Sequence, residues 1–244
     1  MTSELVVLQH DPGSGPAAFA EVLDARRSIV GWRLVELDAD AQVPELDALA
    51  GIVALGAPAG LADEEPPAWL DAELELLRSA VEAEVPVLGV GLGAHVLLTA
   101  LGGKVERRAR PRVGFHALSR TEAAGDEPVA AGWPDGTAAL FLERDGVAAL
   151  PEGAEVVLAG DDADDPGAWR LGSGLAVHFR PEVTVEQLEA WAGEAWLEER
   201  LAAGGLDADG LLEEARTRVR FTVPQGRALI GRFLDDPVRK HVSD

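Results

Sequence analysis

Apolar residues enter this chain as short unbroken runs and later shift to helical stripes. Leu5 to Leu8, Gly51 to Leu55 and Val85 to Val90 are compact apolar runs, read as strands, the first and last of them buried, and Trp32 to Leu37, interrupted by Arg33 and Glu36, reads as another strand. Between them, Ala17 to Arg27 carries Phe19, Val22 and Leu23 at helical spacing. Pro66 to Glu84 carries Leu70, Leu74, Leu76, Leu77 and Val81 on one stripe, with Pro67 near the start, where proline is tolerated. Ala94 to Leu101 predicts a further helix, ended by Gly102-Gly103. Strands alternating with helices imply crossover units and a parallel sheet covered on both faces.

From Val105 to about Val177 the pattern changes. Val113 to Leu118, Ala138 to Leu142, Glu155 to Leu158 and Gly174 to His178 are short apolar runs separated by turn-rich stretches. They predict added strands, some antiparallel. Gly160 to Gly167 is acidic and glycine-bearing and reads as a mobile loop. After Pro181 the chain turns helical: Val185 to Ala203, Leu211 to Val219 and Pro224 to Leu234 are three helical segments, and Val238 to Asp244 is expected to fray. In the first of these, Trp191 and Trp196 are expected to pack in the core. The expected fold is α/β, a mostly parallel central sheet flanked by helices, with additional strands and a helical C-terminal extension. Residues 1–190 form the main domain, and 191–244 form an extension packed on it.

Composition narrows the function classes. The 244 residues hold no cysteine, which excludes disulfides, thiolate metal sites and thiol chemistry within them. The formal charge of −22 repels phosphate backbones and anionic membranes, so neither nucleic acid nor membrane is an expected partner. No apolar run approaches the roughly 20 residues needed to span a bilayer. Met1 to His10 lacks the pattern of a signal peptide, so a cytoplasmic location is expected. The five histidines do not fall at metal-ligand spacing, and no metal or cofactor is expected.

Four separated segments carry a resemblance. Leu8-Gln9-His10-Asp11-Pro12 with Gly15-Pro16 and Ile52-Val53-Ala54-Leu55-Gly56-Ala57-Pro58 with Trp69-Leu70 are two of them. The others are Pro86 to His95 with Leu101-Gly102-Gly103, and Val177-His178-Phe179-Arg180-Pro181-Glu182-Val183-Thr184. In this order they resemble class I glutamine amidotransferases, in a branch similar to the amidotransferase domain of GMP synthase, from about residue 5 to residue 190. The resemblance implies a flavodoxin-like fold. It also implies a site in which a cysteine at a strand-to-helix turn attacks the glutamine amide, a histidine takes the proton and a glutamate orients the histidine.

The positions that the resemblance assigns to this triad are Gly91, Arg180 and Glu182. Glycine has no nucleophile, and a guanidinium stays protonated near neutral pH and is no base. Catalysis by a triad is therefore not expected. His95 and His178 replace family glutamines; they read as packed or hydrogen-bonded residues, and as catalytic groups they would have only water to activate. The backbone at Gly56 and Ala57, which in the family helps form the oxyanion hole, and the helix start at Leu92 still offer N–H groups.

Two readings of the altered pocket stand open. Either Gly56, Ala57, Gly91, Leu92, His95, His178 and Arg180 form a pocket for a small carboxylate or phosphate-bearing metabolite, or Arg180 fills the vacated volume and pairs with Glu182, or points to solvent. The expected function is that of a catalytically degenerate relative acting as a binding or regulatory protein, with a synthase or other protein as partner. The alternatives are a sensor of a small anion and an enzyme of altered chemistry using His95 or His178.

Overall fold

A computed structural model describes residues 3–37, 43–63, 65–127, 129, 132–160 and 166–243. Among these described residues the strands are β1 (Glu4–Gln9), β2 (Gly31–Glu36), β3 (Leu49–Ala54), β4 (Val87–Val90), β5 (Lys104–Arg120), β6 (Thr137–Ala149), β7 (Glu155–Ala159), β8 (Pro166–Leu171) and β9 (Gly174–Val177). The helices are α1 (Ala18–Ala25), α2 (Leu70–Glu82), α3 (Leu92–Ala100), α4 (Val185–Trp191), α5 (Ala195–Gly204), α6 (Ala208–Phe233) and α7 (Arg239–Ser243).

The strands form one sheet in the order β2-β1-β3-β4-β9-β8-β7-β5-β6. The first five are parallel to their neighbours. The remaining pairings are antiparallel. The reason for the unbroken apolar runs is visible in β1. Leu5 and Val7 face one core with α1 and the end of α6. Val6 and Leu8 face another with α2 and α3. A strand buried on both faces has no position to give to a polar residue. A third apolar cluster joins Leu140 and Leu142 of β6 to Leu188, Trp191, Leu197, Leu201 and Leu211 of the C-terminal helices. Those helices therefore cap the antiparallel end of the sheet beside the carboxyl ends of the parallel strands, where open α/β sheets place their sites.

The parallel half follows the sequence pattern. Elsewhere the structure corrects it. Pro166 and Gly167 open β8, a strand within what reads as a loop; residues 161–165 of that stretch lie outside the described residues. Val185 to Ala203 is two helices, parted at 192–194. Leu211 to Leu234 is not two segments: α6 runs 26 residues through Pro224. Proline removes a helix hydrogen bond, but Pro224 and Arg220, whose carbonyl loses its partner, both lie on the exposed face. Burial on both sides of the break, from Leu211 and Ala215 to Leu229 and Ile230, holds the helix together. The expected fraying end is helical over Arg239–Ser243, anchored by the fully buried Val238.

Candidate functional site

The site is built where β4 turns into α3. Gly91 caps the helix at φ 53°, ψ −111°, a left-handed conformation that glycine takes without the cost a side chain would add. Its N–H donates to the Val177 carbonyl of β9, and its own carbonyl accepts from Ala94 and His95 in the first turn of α3. The strand thus turns sharply into the helix at a residue that has no side chain.

Arg180 occupies the space in front of the elbow. A Cβ at Gly91 would lie 2.9 Å from Arg180 Cδ, and one at Gly56 would lie 2.6 Å from the guanidinium carbon. The guanidinium therefore runs between the two glycines. Its Nε donates to Glu182 Oε1 at 2.5 Å, with both side chains almost wholly buried. It also lies over the Trp191 ring at 5.2 Å. Of the two readings open for Arg180, filling and pairing is the observed geometry. One guanidinium nitrogen, Nη2, is left buried with no hydrogen-bond partner. The backbone that holds this corner is tightly packed: the Arg180 N–H donates to Leu140 of β6, and α6 presses Gly226 so close to the Pro181 carbonyl that no side chain fits there.

The structure brings most of the sequence-predicted pocket together. Ala57, Gly91, Leu92, His95, His178 and Arg180 line one cleft; Gly56 lies against Arg180, and Glu182 sits beneath it. Sequence reading missed Glu143, Arg144 and Asp145 of β6 and Arg200 of α5, which line the same cleft. A charged triplet at the end of an apolar run was the available signal for the first three. The inner cleft has about 20 Å³ of free volume, little more than one water needs. Among the described residues lining it there is no serine, threonine or lysine to replace the missing nucleophile.

His95, Glu143 and His178 form a buried group whose polar atoms lie within 4.8 Å of one another. The Trp169 indole N–H donates to His178 Nε2 at 3.0 Å, so His178 carries its proton on Nδ1 and donates it to Glu143 Oε1 at 3.2 Å. His95 Nε2 is 3.4 Å from the same oxygen. Burial, followed by the opposing pull of Glu143 and the push of His178, lowers His95 from 6.5 to about 4, so it is neutral at pH 7. The trio does not fit a metal ion. A cation on His178 Nδ1 would send the imidazole proton to Nε2, facing an indole that can only donate. The Arg108 guanidinium, 3.8 Å from Glu143 Oε2, would repel the cation as well.

An ion-pair network closes the outer side. Arg107 bridges Asp63 and Asp145, and Arg144 donates to both oxygens of Asp63. Burial alone would raise Asp63, but the Gly60 N–H and these two guanidiniums outweigh it and hold the carboxyl below its ordinary value. Asp145 also accepts from the Ala62 N–H, which ties the 57–63 loop to β6. Arg200 differs from its neighbours. It donates to the Leu142 and Pro58 carbonyls and stacks on Trp196 at 5.2 Å, and its Nε is buried without a partner.

Comparison with known proteins agrees with this geometry. The family described as "Glutamine amidotransferase class-I" matches residues 22–190, more than half of the chain. A GMP synthase [glutamine-hydrolyzing] of Leifsonia xyli subsp. xyli is 31% identical over 156 residues, covering 61% of this chain and 30% of that protein. A GMP synthase [glutamine-hydrolyzing] subunit from Methanoculleus marisnigri is 38% identical over 69 residues, covering 28% of this chain and 36% of that one. The chain thus spans well under half the length of these curated relatives. Among solved structures, a glutamine amidotransferase from Thermotoga maritima superposes with a TM-score of 0.81 at 20% identity, covering 97% of this chain and 100% of that one. One from Methylobacillus flagellatus gives 0.83 at 18% identity, covering 96% and 95%. At that identity the likeness shows the fold, and the match over residues 22–190 shows the family. The chain belongs to the class I glutamine amidotransferase family, and it holds no cysteine anywhere in its 244 residues.

Proposed function

We propose that this chain is a catalytically silent member of its family that acts by binding, as a regulatory protein or as the partner of another protein, in the cytoplasm. The observation that carries this reading is the Arg180–Glu182 pair seated between Gly56 and Gly91. The volume where an acyl group would be formed holds a buried cation, and the carboxylate that would orient a base neutralises it instead. A synthase is the favoured partner class, because the curated relatives include one named as a subunit of GMP synthase and the fold that would dock it is retained. The reading of altered chemistry at His95 or His178 has less support: Glu143 and Trp169 engage His178, and the cleft lining offers those imidazoles no nucleophile to activate.

Ammonia release from glutamine tests the silence. The wild-type protein and Gly91→Cys are expected to release none above background, because the new side chain meets Arg180 and no base is present. Gly91→Cys combined with Arg180→His restores both missing chemical groups beside the retained Glu182 and is expected to show measurable glutaminase activity. Turnover by the wild type at an enzymatic rate would overturn the reading.

A further inference from the structure

Among the described residues, one cation around the cleft has no ion-pair partner. Arg107 and Arg144 are paired with Asp63 and Asp145, Arg108 lies beside Glu143, and Arg180 is paired with Glu182. Arg200 is left over. It is 7% exposed, and among the described residues no carboxylate lies within ion-pair distance of it. In a chain with 43 acidic and 21 basic residues, a buried unpaired cation is the improbable arrangement, and burying a charge without a counter-ion is costly. Burial, with repulsion from Arg144 and Arg180 outweighing the attraction of Asp145 and Asp63, lowers Arg200 to about 10, so it remains a cation at pH 7. Three arginines that line this cleft each have a buried nitrogen with no hydrogen-bond partner: Nε of Arg200, Nε of Arg144 and Nη2 of Arg180.

Arg144 and Arg200 also line a neighbouring vestibule of about 100 Å³ walled by Pro58, Pro111 and Trp196. Glu199 stands on its rim, exposed and in no ion pair with either arginine. Among the described residues, the five arginines inside the cleft exceed its four carboxylates by one charge, and Glu199 at the rim disfavours a ligand that carries a second negative charge. We propose that this vestibule binds a small monocarboxylate, its head on the guanidiniums of Arg200 and Arg144 and its apolar part against Trp196, Pro58 and Pro111. The inner cleft is too small for that body and the vestibule is not. The inference rests on the silent reading, since it takes Arg180 as a fixed wall and not as an obstacle displaced by glutamine.

Calorimetric titration of the whole chain with benzoate, butyrate and inorganic phosphate, at constant ionic strength, tests it. Both carboxylates are expected to bind one to one with Kd of about 1 mM, and phosphate more weakly. Arg200→Gln is expected to weaken benzoate about tenfold or more through loss of a charge-assisted donor. Arg144→Gln, whose parent side chain is 33% exposed, is expected to keep the fold and to weaken benzoate in the same direction, so the proposal stands or falls even if Arg200→Gln does not fold. No saturable binding of either carboxylate at about 10 mM, phosphate binding tighter than benzoate, or benzoate affinity unchanged by a folded substitution would each overturn it. Failure of the silent reading would look different: ammonia released from glutamine, whatever the carboxylate affinity.

Discussion

The two ends of the cleft hold the same side chain in opposite circumstances. At the elbow, Arg180 is buried against a carboxylate that has no exposed surface; at the mouth, Arg200 is buried against carbonyl oxygens and an indole. One charge is compensated within the fold and the other is not. The comparison teaches that burial of an arginine does not by itself say what it is for. The neighbour that takes its charge does.

Substitution separates the two. Arg180→Met leaves Glu182 buried and unpaired and is expected to cost about 3–5 kcal/mol, read by chemical denaturation. Adding Glu182→Met should return most of that loss, because a buried pair replaced by apolar groups of similar size is near neutral. Arg200→Met orphans no carboxylate, only two carbonyl oxygens, and is expected to cost about 1–3 kcal/mol. Equal costs for the two arginines would erase the distinction.

Between the two ends lies His95, and pH addresses it. Its pKa in the fold, about 4, is below the 6.5 of the unfolded chain, so between those values the unfolded state binds the extra proton. Stability is therefore fully present above pH 6.5 and falls as the pH drops towards 4, by about 3 kcal/mol from this group. His95→Gln is expected to flatten that part of the stability–pH curve, measured from denaturant midpoints. A curve with unchanged slope would mean that the proton is taken up elsewhere.

The smallest effect lies in the helical cap that carries Arg200 and frames the mouth. Asp207 Oδ1 accepts the Gly210 N–H at 2.7 Å at the start of α6, and Asp207→Ala is expected to cost about 1 kcal/mol in thermal or denaturant unfolding. The elbow, held by α3 and β9, should keep its geometry in that variant.

These differences also explain what could be read before the structure. The parallel strands were legible because β1, β3 and β4 are buried on both faces and so carry a pattern no loop imitates. Gly91, Arg180 and Glu182 could be singled out because they lie inside segments with their own local signature. Arg200 was not: on an amphipathic helix it looks like a solvated residue, and only the packing of α5 beneath Pro58 and Leu142 buries it. Glu143 and Asp145 failed for the same reason, since charges after an apolar run read as the start of a loop while β6 in fact continues to Ala149. Pro224 misled in the other direction, because local propensity says break and burial on both sides of it says continue.

The bare glycine at the elbow has one further consequence. A site of this family that works through sulfur is exposed to peroxide, to nitrosating agents and to every electrophile that seeks a thiolate. Within these 244 residues the only sulfur is the thioether of Met1. No thiol among these residues is open to oxidation, so the cleft keeps its chemistry in oxidised and reduced surroundings alike.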